Sequence, residues 1–91
     1  MNIIYKYDLQ EAKKQSVFLP KNSKLLSVKN QYDKIQMWFM IDTKESEEEE
    51  NVFYIFGTGF PTLDDMENLH FIDTVLMSSG LVWHIFKEKQ S

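Results

Sequence analysis

Ile35-Gln36-Met37-Trp38-Phe39-Met40-Ile41 follows the turn-forming stretch Gln31-Tyr32-Asp33-Lys34 and is closed by Asp42. A strand with one buried face alternates apolar and polar residues, because successive side chains point to opposite sides of a sheet. From Met37 onward this segment is apolar on both sides, so it reads as a central strand whose second face needs a cover, from the same chain or from another subunit. Lys24 to Asn30 alternates through Leu26 and Val28 just before the turn, and the two segments are expected to form an antiparallel hairpin.

Strand signals continue on both sides of this hairpin. Ile3, Tyr5, Tyr7 and Leu9 occupy alternate positions, and Ser16-Val17-Phe18-Leu19 forms a short strand stopped by Pro20, which has no amide to give to a ladder. Val52-Phe53-Tyr54-Ile55-Phe56 is dense in aromatic and β-branched residues and ends at Gly57-Thr58-Gly59. His70 to Met77 and Leu81 to Phe86 make a last hairpin about Ser78-Ser79-Gly80, where Gly80 suits a positive φ, and Lys87 to Ser91 reads as a polar tail. Between them, Pro61 to Asn68 has room for one short helical turn, with Thr62 or Asp64 as cap and Leu63 and Met66 three apart. Residues 43–51 hold Glu45, Glu47, Glu48, Glu49 and Glu50, whose mutual repulsion predicts an acidic, mobile hairpin loop. These elements predict an all-β fold, or β with one short helical turn: a small antiparallel β-sandwich or barrel of about seven strands, in a single domain over 1–91.

Composition bounds the function. With 43% hydrophobic and 14% aromatic residues the chain is too apolar to be disordered. It has no cysteine, so disulfides and thiolate metal sites are excluded, and a fold of this size is stabilised by packing or by homo-oligomerisation. No apolar run reaches membrane-spanning length and Met1 to Tyr7 lacks a signal-peptide core, which predicts a cytoplasmic protein with no membrane partner. All ten basic residues are lysines; the absence of arginine, the side chain suited to bidentate contacts with phosphate or guanine, argues against sequence-specific nucleic-acid recognition. Residues 1–34 carry seven lysines against three acids, a balance of +4, while 35–91 carry three lysines against eleven acids, a balance of −8, which together make the net −4.

No catalytic residue, metal site or cofactor is expected. The serines lie outside any nucleophile-elbow pattern, and His70 and His84 have no ligand spacing around them. His84 alternates with Val82 and Phe86 and reads as a half-buried histidine satisfied by local hydrogen bonds, while Asp64, Asp65 and Glu67 read as solvated or capping acids. Gly57-Thr58-Gly59 lacks the spacing, lysine and following helix of a phosphate loop, so an architectural bend is the first reading and an anion-and-ring pocket the second. In that pocket Gly57, Thr58 and Gly59 would offer amides, Phe60, Tyr54 and Trp83 would stack a planar ligand, and His84 lies alongside. Thirteen aromatic rings exceed what one small core encloses, which makes the second face of Trp38 and Phe39 a candidate partner surface, with Glu47, Glu48 and Glu49 steering a basic partner.

Tyr5-Lys6-Tyr7, Leu19-Pro20, Leu26-Ser27-Val28, Trp38, Ile41-Asp42, Gly57-Thr58-Gly59, Phe71-Ile72-Asp73-Thr74 and Leu81-Val82-Trp83-His84-Ile85-Phe86 together give the chain a family likeness. It resembles small, mostly uncharacterised proteins of this length from phage and prophage genomes. The resemblance implies a compact oligomeric β protein in the host cytoplasm that acts by occupancy, by binding and inhibiting a host antiviral-defence protein. The alternatives it leaves are a sponge for a signalling nucleotide and a structural accessory subunit. Relatives of that kind carry a histidine after the glycine bend, where this chain has Phe60.

Overall fold

Residues 1–90, described by a computed structural model, form seven strands and one 3-10 turn: β1 (Asn2–Leu9), β2 (Lys14–Pro20), β3 (Lys24–Gln31), β4 (Lys34–Asp42), β5 (Glu48–Gly57), the turn Met66–Asn68, β6 (Leu69–Leu76) and β7 (Val82–Glu88). Ser91, the end of the expected tail, lies outside the described residues, and Lys87 and Glu88 belong to β7. The strands make a three-stranded sheet in the order β1-β4-β3 and a four-stranded sheet in the order β2-β5-β7-β6, with every pairing antiparallel. Two distinct sheets around a shared core make this a sandwich and not a barrel.

The β3–β4 hairpin forms as expected, on a two-residue turn in which Tyr32 and Asp33 both have positive φ, 56° and 59°. That is the backbone twist two antiparallel strands need at such a tight connection. The last hairpin also forms, with Gly80 at φ +92°. Along β4 the odd-numbered Ile35, Met37, Phe39 and Ile41 point inward and meet Leu19, Phe53, Ile55 and Ile85 of the other sheet. Full burial of each such side chain stabilises by roughly 1.5–3 kcal/mol, and this layer is the main source of stability.

Two expectations are corrected here. Phe39 is 1% exposed, edge-on to Tyr7 at 5.7 Å, so it is core and not a partner surface; only Trp38 lies on the outer side. The acidic stretch is also shorter as a loop than 43–51. Glu48, Glu49 and Glu50 open β5 opposite Pro20, Leu19 and Phe18, and the connection before them passes from one sheet to the other instead of closing a β4–β5 hairpin. Ladder hydrogen bonds engage only the backbone, and local partners relieve the charge: Ser16 donates to Glu50 at 2.6 Å, the Asn22 amide donates to Glu49 at 3.3 Å, and Lys21 pairs with Glu47 at 3.5 Å.

The outer face of the four-stranded sheet has its own small core. Tyr54, Phe56 and Leu69 are buried there beneath Leu63 and Met66, with Val52 and Phe86 alongside. The helical turn foreseen over 61–68 therefore serves as a roof. Neither Thr62 nor Asp64 caps it: Asp65 occupies the N-cap position and its carboxylate accepts from Asn68 Nδ2 at 2.6 Å. No helix among the described residues is long and apolar enough to cross a membrane.

Candidate functional site

Where β5 ends, Gly57-Thr58-Gly59-Phe60 closes a β-turn in which the Phe60 amide donates to the Gly57 carbonyl at 3.0 Å. Gly59, at φ +84°, takes the position that disfavours a side chain. The Thr58 amide donates to the Val82 carbonyl at 3.2 Å, which continues the β5–β7 ladder by one step. Of the three amides proposed for an anion, that of Thr58 is thus engaged within the chain, as is the neighbouring Phe60 amide.

The turn returns Phe60 over the sheet end, where its ring meets Trp83 edge-on with centroids 6.2 Å apart. Gly57 makes this possible. A Cβ there would lie 3.2 Å from both Phe60 Cδ1 and Trp83 Cζ3, closer than carbon atoms pack without displacement. One glycine therefore ends the strand and seats the aromatic pair.

Two hollows adjoin the pair. One, of about 260 Å³, lies among Ala12, Lys13, Ile55, Phe60, Pro61 and Trp83, with Glu11 on its rim. The other, of about 280 Å³, lies among Thr58, Phe60, Gly80, Leu81 and Trp83. Phe60 is 59% exposed between them and Leu81 is also exposed, so this end of the sandwich offers an apolar ridge with a depression on each side. The Trp83 indole Nε1 is buried and has no hydrogen-bond partner among the described residues. A donor left in that condition destabilises by about 1–3 kcal/mol and is satisfied when an acceptor reaches it.

His84 sits on the opposite face from Trp83, as strand parity requires. Its Nε2 is 2.8 Å from Thr58 Oγ1 and its Nδ1 is 3.1 Å from Thr74 Oγ1. With both ring nitrogens held, His84 anchors the turn to β6 and β7. Tyr54 is elsewhere: it is buried in the roofed cluster, stacked on Phe56 at 6.2 Å, with the Lys14 ammonium 5.7 Å above its ring. Of the residues the sequence points to, the fold gathers Gly57, Thr58, Gly59, Phe60 and Trp83, makes His84 their support and separates Tyr54. Trp38 on β4 and Glu47, Glu48 and Glu49 at the start of β5 occupy different surfaces.

Sequence reading passed over Ala12, Lys13, Pro61 and Leu81. Pro61 and Leu81 flank turns and carry a weak signal. Lys13 carries none, since it is placed by a tertiary bond from the Ile55 amide to its carbonyl at 3.1 Å. Away from this end, burial, helped by Tyr5 and Glu48, pushes the Tyr7 phenol above 10.0, and burial pulls the Lys87 ammonium below 10.5. Hydrogen bonds from the Ser78 hydroxyl and amide hold the Asp33 carboxyl below 3.8, and that amide contact, at 3.0 Å, joins the β3–β4 turn to the β6–β7 turn. Among the described residues no group of three or more histidines or acids is placed to hold a metal ion.

No curated protein and no solved structure matches the chain. A family model does, over residues 1–91, and the chain belongs to the family described as Domain of unknown function (DUF7352).

Proposed function

We propose that the chain is a non-catalytic binding protein that acts by occupying a protein partner, and that the Phe60–Trp83 end is where the partner docks. The observation that carries this is the exposed Phe60 ring standing between two apolar hollows of about 260 and 280 Å³. Aromatic anchors beside small apolar pockets are the usual energetic centre of a protein interface.

A nucleotide sponge is the second proposal, favoured by Lys13 beside the Phe60 and Trp83 rings in the lining of one hollow. It ranks lower because the Thr58 and Phe60 amides already have acceptors. A phage origin, a host antiviral-defence component as target and a cytoplasmic location belong to this proposal on the strength of the family resemblance alone.

A photo-reactive phenylalanine analogue placed at position 60 or 81 tests the assignment in cells. A discrete adduct with one other protein is expected from both positions and not from a control at Lys21. Failure to form any adduct, together with a thermal shift produced by nucleotides, would replace the protein partner with the nucleotide.

A further inference from the structure

The sandwich is a slab, 42 × 32 × 16 Å across its Cα atoms, and its two broad faces carry opposite charge. The register places Lys6, Lys24, Lys29 and Lys34 on the outer face of the β1-β4-β3 sheet, against Asp8 and Asp42. Asp42 is already paired with the N-terminal ammonium at 3.6 Å. Among the lysines lie Trp38 and Met40, half-buried, with Ile4, 54% exposed, and the exposed Leu26 beside them. The opposite outer face carries Glu48, Glu50 and Glu88 on its strands and Asp64, Asp65 and Glu67 on the roof, against Lys14 and Lys89. Phe18, directly opposite Glu50 on β2, is exposed within that acidic surface.

We propose that the chain binds a second copy of itself, basic face on acidic face, and so stacks head to tail. Charge decides the geometry. A two-fold dimer through either face would set like charges against each other, which costs several kcal/mol and opposes association. The heterologous pairing instead sets lysines against glutamates and gives the exposed Ile4 and Leu26 an apolar counterpart in Phe18. Screening does not merge the faces, since the slab is 16 Å thick and the Debye length at physiological salt is about 8 Å. Each face therefore acts through its own charge, not through the net −4. A face of 42 by 32 Å also provides more than the roughly 800 Å² per partner of a stable interface. Because the two faces lie on opposite sides of the slab, the contact does not close on itself, and stacks lengthen with concentration.

Sedimentation velocity on the whole chain tests this. At physiological ionic strength the weight-average sedimentation coefficient is expected to rise steadily with concentration, and at roughly 1 M salt, where the Debye length falls to about 3 Å, to return to the monomer value. A coefficient independent of concentration at physiological ionic strength would overturn the proposal, as would a discrete dimer unaffected by salt. Lys24→Glu with Lys29→Glu, or Glu48→Lys with Glu50→Lys, changes only exposed side chains. Either pair alone is expected to abolish stacking, and mixing the two variants is expected to restore one-to-one complexes through the intact face that each retains. Stacking that persists in both variants would equally refute it.

Discussion

The outer face of β5 carries Val52, Tyr54 and Phe56 and is covered by Leu63 and Met66 of the chain's own β5–β6 connection. The outer face of β4 carries Gln36, Trp38 and Met40 and relies on its own sheet, where Lys6 reaches from β1 to Gln31 Oε1 at 2.8 Å and lies 5.8 Å from the ring of Tyr32, which is 84% exposed. By the register, that reach crosses Gln36, whose side chain is buried with its Oε1 unpartnered among the described residues. Both strands are apolar on two sides. The chain covers one of them from within and leaves the other to long lysines and to whatever binds there. A second apolar face in a sequence thus announces a need for cover without saying where the cover comes from.

Phe56→Ala removes a ring from under the roof and is expected to destabilise by about 3–5 kcal/mol in chemical denaturation. Gly57→Ala should follow, at about 1–3 kcal/mol, because the added methyl pushes on Phe60 and Trp83; adding Phe60→Ala should recover part of that loss, and Trp fluorescence would report the displacement. Trp38→Ala, on the unroofed face, should lower monomer stability by about 1–2 kcal/mol, less than Phe56→Ala, since its ring is only partly buried. A loss as large as that of Phe56→Ala at high protein concentration, disappearing on dilution, would mean that another copy covers that face. Met66→Ala, half-buried in the roof, should lower stability by about 1 kcal/mol.

The smallest effect is expected at Asp33, which joins the turns of the two sheets. Its carboxyl is held below 3.8 in the folded chain, so its stabilising contribution is present above that pH and is lost as pH falls through the lower folded value. Asp33→Asn should flatten the acid limb of the stability curve and leave neutral-pH folding in place. An unchanged acid limb would show that the Ser78 contact does not couple the sheets.

Seven strands, both tight hairpins, the turn glycines and the short helical turn were legible, because each rests on local periodicity or on a residue suited to its backbone angles. Gly57, Phe60 and Trp83 were legible as candidates for the same reason, since a glycine bend and an aromatic strand stand out in one dimension. Lys13 was not, because a tertiary hydrogen bond places it. The acidic loop is shorter than its charge predicts because β2 supplies a backbone partner at Glu48 to Glu50, which side-chain repulsion does not encode.

By itself the sequence determined the class of fold and the two-sided character of β4 and β5, since alternation and its breakdown are properties of neighbouring residues. Beyond the two tight hairpins, which strand pairs with which was decided only by tertiary structure. The same is true of Phe39 facing inward with Trp38 outward, the roof over Tyr54 and the separation of lysines and acids onto opposite faces. Each depends on which surfaces meet when β1 joins β4 and β5 joins β2 and β7, pairings between segments far apart in the chain that local preference does not encode.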